Sequence, residues 1–278
     1  MSSLPEAPET APETAPETAP ATSPGISSKL KSKQPPPALR WLTYLLLLPL
    51  IAISTAFFGA LALLCAVWDS SGFQQHAIAR AWAQTLLWLS LSPVEVIGRE
   101  RLDTNRPAVY ASNHLSYYDT PLLFAKLPFQ FRIFAKHSLW KAPFIGWYLR
   151  RSGQVPIEVN SGRSAVAGLL RGVKTLQAGL SVFVFPEGGR AATGKMSPFQ
   201  SGAAFMAIKA QVPLVPLALV GTYEVLPIHV YHISPRPMKL VIGDPIPTAG
   251  LTAREAEALT AQLFAAISGL YAEHWEMS

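Results

Sequence analysis

From Val94 onward, short runs rich in β-branched and aromatic residues alternate with longer segments whose apolar residues have helical spacing. The short runs predict strands at residues 94–97, 107–112, 131–136, 154–159, 181–186, 213–220 and 238–243. The longer segments predict helices at residues 121–127, 143–151, 162–178, 201–210 and 252–274. Thr252 with Glu255 three residues later is typical of a capping box at the start of the last helix. The alternation predicts an α/β fold in which helices flank a mixed β-sheet.

The chain before residue 94 follows other patterns. Residues 1–37 repeat an Ala-Pro-Glu-Thr unit and contain almost no large apolar residues, which predicts a disordered low-complexity tail. Residues 41–68 are nearly all apolar and carry no charge, so a helix there is long enough to span a bilayer. In residues 73–92, apolar side chains recur at helical spacing beside polar ones. That pattern fits an amphipathic helix at a membrane interface or, equally, a helix packed on the following domain.

Composition narrows the classes of partner. Half of the 278 residues are hydrophobic, 14% are charged, and the formal net charge is +6. A basic, apolar chain suits an anionic membrane surface or phosphorylated substrates, and because no nucleic-acid motif is present we expect no nucleic-acid partner. The single cysteine, Cys65, lies in an apolar run, which excludes an internal disulfide and a cysteine-rich zinc site.

A histidine and an aspartate follow the second predicted strand, in the segment NHLSYYD at residues 113–119. Residues five apart do not share a face of a straight helix, so His114 must lie in a turn before the helix. Asp119 or Thr120 would then cap that helix, with Pro121 in its first turn. If the turn folds back, the carboxylate fixes the imidazole tautomer and leaves the other ring nitrogen free to take a proton. Taken alone, the segment favours a simpler interpretation, in which Asp119 caps a helix beside an ordinary turn histidine.

A second polar segment, FPEGGR at residues 185–190, follows the strand-like run SVFVF. Its glycines allow the backbone to approach a ligand closely. Arg190 can hold a phosphate through two hydrogen bonds, and Glu187 can orient Arg190 or bond a substrate hydroxyl. The alternative is a glycine turn with a surface ion pair. Because both segments follow predicted strands, we expect them at the carboxyl edge of the sheet, where open α/β sheets bind ligands.

Four segments resemble, in the same order, motifs of the 1-acylglycerol-3-phosphate acyltransferase family. They are NHLSYYD at residues 113–119, GQVPIEV at 153–159, FPEGGR at 185–190 and VPLVPLAL at 212–219. The resemblance covers about residues 90–245. It implies the glycerolipid acyltransferase fold, joined to a membrane-embedded N-terminal helical segment.

The resemblance also implies roles for individual residues. His114 would be the general base and Asp119 its partner. Five residues of the motifs would bind the acceptor, namely Asn113, Glu187, Gly188, Gly189 and Arg190. Two further cations, Lys136 and Arg163, would contribute to the same site. No metal and no cofactor is expected; acyl-CoA or acyl-carrier protein would serve as co-substrate.

Two departures from the family pattern fall on acceptor-binding positions. Val159 stands where the family usually has an arginine, and Arg163 lies four residues further on as a candidate replacement. Gly189 stands where a threonine is usual. These departures keep lyso-ornithine lipid, or another lysolipid, as an alternative acceptor.

The function implied by the resemblance is acyl transfer from a thioester to the free hydroxyl of lysophosphatidic acid, giving phosphatidic acid. Its expected partners are membrane lipids, a lysophospholipid acceptor and an acyl thioester donor. Two other classes stay open: a non-catalytic lipid-binding protein on the same fold, and a thioesterase or lipase that uses water as acceptor. The second is disfavoured because the chain has no Gly-x-Ser-x-Gly nucleophile elbow.

The implied donor also bears on topology. Basic residues precede the apolar run, so its N-terminal end should stay in the cytoplasm, yet one crossing would place residues 93–278 on the other side. We therefore expect residues 38–92 to contain a helical hairpin that enters the inner leaflet of the cell inner membrane without crossing it. The acyltransferase domain, residues 93–278, would then face the cytoplasm.

Overall fold

The computed structural model of the chain describes residues 37–142, 145–158, 162–190 and 194–275, and the side chain of Arg163 is also left undescribed. The predicted tail, except for Pro37, lies outside these residues, as does Val159. The described strands are β1 Val94–Ile97, β2 Val109–Ser112, β3 Phe131–Lys136, β4 Val155–Ile157, β5 Ser181–Val184, β6 Leu214–Val220 and β7 Met238–Ile242.

The helices of the structure confirm most of the predicted segments. The first apolar helix begins earlier than predicted, at Pro37. They are α1 Pro37–Leu42, α2 Leu48–Cys65, α3 Phe73–Leu89, α4 Asp119–Lys126, α5 Ile145–Arg151, α6 Gly162–Gln177, α7 Gly202–Ala210, α8 Thr222–Val225 and α9 Ala256–Trp275. A π-helical stretch, Thr43–Leu47, joins α1 to α2. The predicted capping box is present, with the Glu255 carboxylate accepting hydrogen bonds from the Thr252 backbone and hydroxyl. The short helix α8 was not predicted.

The strands form one mixed sheet in the order β1-β7-β6-β2-β5-β3-β4. All neighbouring pairs are parallel except β6 and β7, which are antiparallel. The central strands β2, β5 and β6 are buried along their whole length, and this explains why they appear in the sequence as continuous apolar runs. The predicted α/β fold with a mixed sheet is confirmed.

Alternation along the central strands divides the core into two layers. Tyr110 and Phe183 point to one face of the sheet, where they pack with buried residues of α3 and α4. Val109 and Val182 point to the other face and pack with residues of α6, α7 and α9. Helices thus cover both faces of the sheet, and the ends of its strands are not part of either layer.

Helices α2 and α3 pack side by side as a hairpin, with the Trp82 indole donating to the Thr55 hydroxyl at 3.1 Å. Helix α3 packs against the domain, because its residues Ala79, Ala83 and Leu87 are part of the hydrophobic core beside α4. Packing against the domain, one of the two interpretations for residues 73–92, is therefore observed, and contact of this helix with a membrane interface stays a prediction. The connecting turn is also fixed, because the Arg132 guanidinium donates to the Ser71 carbonyl at 2.6 Å.

The outer side of the hairpin is apolar. Within the described residues, one helical stretch, Pro37–Cys65, is long and apolar enough to cross a membrane. Its mean hydropathy is 2.3 over the window tested, and only 11% of that window is buried. Large side chains such as Ile53, Phe57 and Leu64 are more than half exposed. An exposed apolar surface of this size on α1 and α2 is typical of a membrane-contacting segment.

Candidate active site

The strand order brings the two polar segments together. Strands β2 and β5 are parallel neighbours, with Ala111 paired to Val184, so the loops that follow them leave the sheet side by side. The first loop carries His114 and the second carries FPEGGR. The predicted meeting at the carboxyl edge of the sheet is confirmed.

The His114 imidazole and the Asp119 carboxylate form a direct hydrogen bond, with Nδ1 2.8 Å from Oδ2. Asp119 is fully buried, whereas the His114 side chain keeps 11% of its surface exposed. The carboxylate holds Nδ1 as the protonated nitrogen, which leaves the Nε2 lone pair as the basic position. Within the described part of the chain, no hydrogen bond involving Nε2 is found. The pair therefore has the arrangement of a general base and its orienting partner.

The local backbone makes a five-residue spacing work. Asp119 is the first residue of α4, and its Oδ2 also accepts the backbone N–H groups of Leu115 at 2.7 Å and Ser116 at 2.8 Å. The carboxylate thus closes the turn that it follows. The expected cap was wrong: the N-cap position is Tyr118, and Asp119 bonds backward into the loop instead of capping the helix. The turn itself folds His114 over Asp119 as expected.

Asn113 fixes the start of the same loop. Its side-chain amide donates to the Leu219 carbonyl at 2.9 Å and accepts from the Leu219 N–H at 2.8 Å. Its side chain is fully buried against strand β6. These contacts give Asn113 a structural function next to His114, and its contact with substrate stays a prediction.

Glu187 joins the two loops. One carboxylate oxygen accepts the backbone N–H of His114 at 2.7 Å, and the other accepts the backbone N–H of Ser197 at 2.8 Å. Burial raises the pKa of Glu187 to about 7; the hydrogen bonds from Ser197 and His114 lower it, and the Asp119 charge raises it further. Both oxygens thus accept hydrogen bonds within the protein, so Glu187 links the FPEGGR loop to the loop of His114.

The rest of FPEGGR forms an exposed turn beside the histidine. Gly188 has a φ of 74°, a conformation that favours glycine, and its N–H donates to the Phe185 carbonyl at 3.1 Å. Gly189 and Arg190 are exposed. The Arg190 guanidinium lies over the Tyr117 ring, 4.6 Å from its centre, so the cation is placed next to the His114–Asp119 loop.

The other two predicted cations are further along the same edge. Lys136 is exposed at the end of β3, which is separated from β2 by β5 alone. At about 5 Å per strand, it lies about 10 Å along the sheet from the strand that precedes His114. Arg163 is the second residue of α6, the helix that follows edge strand β4. Their contact with an acceptor stays a prediction.

One neighbour of His114 was missed by sequence reasoning. The ring of Phe185 stacks on the His114 imidazole, with 3.7 Å between the ring centres and 11° between the planes. The residue belongs to the quoted FPEGGR segment, but an aromatic residue at the end of a strand is most often core. Only the parallel pairing of β2 with β5, which the sequence does not specify, reveals the contact.

Comparison with known proteins agrees with the geometry. A family model described as Acyltransferase matches residues 93–220. The chain is 36% identical over 153 residues to the chloroplastic 1-acyl-sn-glycerol-3-phosphate acyltransferase BAT2 of Brassica napus, covering 55% of this chain and 44% of that protein. It is 30% identical over 220 residues to the 1-acyl-sn-glycerol-3-phosphate acyltransferase of Saccharomyces cerevisiae, covering 77% of this chain and 72% of the yeast protein.

A solved structure shares the fold. The crystal structure of the 1-acyl-sn-glycerophosphate (LPA) acyltransferase PlsC from Thermotoga maritima superposes with a TM-score of 0.67 and 25% sequence identity. The superposition covers 84% of this chain and 93% of that one. By contrast, the chain spans less than half the length of the chloroplastic relatives that it matches.

Proposed function

The chain belongs to the 1-acyl-sn-glycerol-3-phosphate acyltransferase family, and on that premise we propose that it acylates lysophosphatidic acid to phosphatidic acid. The donor is an acyl thioester, acyl-CoA or acyl-carrier protein. The observation that carries the proposal is the 2.8 Å contact between His114 Nδ1 and Asp119 Oδ2, beside an exposed arginine on a glycine turn. A non-catalytic lipid-binding protein would need neither the buried carboxylate nor the oriented imidazole.

The reaction follows from the protonation pattern. Nε2 of His114 takes the proton of the acceptor hydroxyl as its oxygen attacks the thioester carbonyl. Asp119 stabilises the imidazolium that forms. When the tetrahedral intermediate collapses, the carbon–sulfur bond breaks and the imidazolium returns its proton to the leaving thiolate. An ester and a free thiol result, with His114 restored to its starting state.

Acceptor binding is assigned to the exposed cations. Arg190 is the first candidate for the phosphate, because it adjoins the loop of His114 and can form two charge-assisted hydrogen bonds. Lys136, exposed at the end of β3, adds positive charge at the same edge of the sheet, and Arg163 in the first turn of α6 is a further candidate. Gly188 and Gly189 directly precede Arg190, and we assign their backbone groups to the same phosphate-binding turn.

Attachment to the membrane supplies the lipid acceptor. The exposed apolar side of α1 and α2 enters one leaflet, and α3, which packs on α2 and on the domain core, connects the two helices to the catalytic domain. We place the domain on the cytoplasmic side of the inner membrane, where acyl thioesters occur. Labelling of an introduced cysteine at Asp103 in right-side-out and inverted vesicles, with Cys65 replaced by serine, measures this orientation; labelling from the outside would contradict it.

The function is tested by thiol release from acyl-CoA in detergent, with and without lysophosphatidic acid. Wild-type protein should release thiol only with acceptor present, and His114→Ala should lose at least about 10²-fold in rate. His137→Ala, an exposed histidine, is the matched control and should keep the wild-type rate. Near wild-type release by His114→Ala would remove the base assignment.

The same assay separates the acceptors. The glycine at 189 and the valine at 159 favour trying lyso-ornithine lipid, with acyl-carrier protein as donor, if lysophosphatidic acid gives no release. Release with that acceptor alone would retain acyl transfer and correct the substrate. Release without any acceptor would identify a thioesterase, and no release at all would favour a lipid-binding protein.

A further inference from the structure

The hydrogen bond to Asp119 fixes one atom of the catalytic imidazole but does not fix its plane. Rotation about the Cα–Cβ and Cβ–Cγ bonds can still tilt the ring about that contact, and each tilt moves Nε2. Proton transfer needs Nε2 within hydrogen-bond distance of the acceptor hydroxyl and directed at it. The chain therefore needs a second constraint on His114.

Phe185 provides a flat surface for this ring. The two rings are nearly parallel, with 11° between their planes and 3.7 Å between their centres, so they overlap face to face. This contact is independent of the Asp119 bond, because it acts on the face of the imidazole and not on its edge. Together the two contacts define both the position and the plane of the base.

Phe185 is itself held rigidly. Its ring meets the ring of Phe183 edge to face, with 5.1 Å between centres and 68° between planes. Phe183 is fully buried in the centre of the sheet. The Phe185 carbonyl accepts the Gly188 N–H at 3.1 Å, so the turn fixes its backbone. The plane of the imidazole is thus fixed through Phe185 by the buried ring of Phe183.

The stack also matches the charge that develops on the base. When His114 takes a proton, the imidazolium lies over the negative face of the Phe185 π-system, which attracts cations. A leucine would fill similar apolar space but would provide neither the flat surface nor the quadrupole.

We propose that Phe185 is a positioning residue that sets the plane of the His114 imidazole and stabilises its protonated form during acyl transfer. The kinetic part of this inference rests on the proposed function; the structural part does not. Because the observed contact of Phe185 is with the base, its loss should affect turnover more than binding.

The test compares Phe185→Leu with Phe185→Tyr, which keeps the ring. Phe185→Leu should lower kcat roughly three- to tenfold with an unchanged KM for acyl-CoA, and Phe185→Tyr should stay within about twofold of wild type. Wild-type kcat in Phe185→Leu would overturn the proposal. Equal losses in both variants, accompanied by equal losses of thermal stability, would show a packing role only.

A second measurement needs no activity. In protein with ¹³C-labelled histidine, the ring protons of His114 should be shifted upfield by the Phe185 ring current, and the imidazole should relax as a rigid group. Phe185→Leu should abolish the shift and make the ring mobile, and Phe185→Tyr should preserve both. A rigid ring in Phe185→Leu would overturn the positioning role. If the wild type acylated no acceptor, the proposed function would fail, and this measurement would still decide the positioning of His114.

Discussion

The two sides of the candidate site differ in how their side chains are held. On the chemical side, Asp119 is fully buried and its Oδ2 accepts three hydrogen bonds, from the His114 ring and from two backbone N–H groups. On the proposed binding side, Arg190 and Lys136 are exposed, and the Arg190 guanidinium lies over the face of Tyr117. In the proposed roles, His114 would be a base that is preorganised before substrate arrives, and Arg190 and Lys136 would form an acceptor site that the ligand completes.

The largest effect is expected on the preorganised side, from Asp119→Asn. An asparagine oxygen in the place of Oδ2 can still accept the His114 ring and the Leu115 and Ser116 N–H groups, but it carries no negative charge. The imidazolium that forms during transfer would lose its charged partner, and kcat should fall by roughly 10²–10⁴ with little change in stability. Asp244→Asn, at a highly exposed carboxylate, is the control and should keep wild-type kcat. A loss below tenfold in Asp119→Asn would contradict this account.

A smaller effect is expected from Glu187→Gln, on stability. Burial raises the pKa of Glu187 to about 7 from the usual 4.5, so the folded protein binds an extra proton between these values. Stability should therefore fall as pH rises from about 4.5 to 7, and this group contributes about 3 kcal/mol to that fall. Urea unfolding at pH 5 and pH 8 should show a smaller difference for Glu187→Gln than for wild type. The exposed Glu95→Gln should leave the difference unchanged; an unchanged difference in Glu187→Gln would refute the assignment.

On the binding side, Arg190→Gln should raise KM for lysophosphatidic acid. Loss of a charge-assisted contact costs about 1.5–3 kcal/mol, which corresponds to roughly 10- to 150-fold in affinity. Arg190→Lys should recover only part of it, because an ammonium group cannot form the two parallel bonds of a guanidinium. Arg254→Gln, at the start of the last helix, is the control. If KM were unchanged and only kcat fell, Arg190 would act in the chemical step and not in acceptor binding.

The smallest effect is expected from Gly189→Thr. Among the residues that the structure describes, a Cβ at position 189 would meet nothing within 4 Å, and the backbone there is outside the left-handed region. Stability should change by less than about 0.5 kcal/mol. At the adjacent Gly188, with φ of 74°, Gly188→Ala should cost about 1 kcal/mol. Thermal unfolding of the two variants checks the contrast, and a large loss in Gly189→Thr would show that the open space is needed.

The elements of the fold were predictable because their burial is regular. Strands β2, β5 and β6 are buried on both faces, so their sequences are apolar runs that end at polar loops. The pairing of these strands was not predictable, since nothing local distinguishes the parallel neighbours of β2 from the antiparallel contact of β6 with β7. Helix α8 has four residues, too few for a helical period to be detected.

The site was predictable only in part for the same reason. His114 and Asp119 are close in sequence, so their contact could be inferred from one loop. The contacts of Glu187 with the His114 backbone and of Phe185 with its ring join positions more than 70 residues apart. Each depends on strand order, and only the assembled sheet reveals that Glu187 bonds inward to the backbone.

The most direct test of the central claim is the amount of phosphatidic acid formed from lysophosphatidic acid and acyl-CoA, measured by mass spectrometry for wild type and His114→Ala at equal protein concentration. We predict that the wild type forms phosphatidic acid in a one-to-one ratio with released thiol and that His114→Ala forms at least about 10²-fold less while keeping the wild-type thermal unfolding profile. Phosphatidic acid formation at the wild-type rate by His114→Ala would contradict the assignment of His114 as the base.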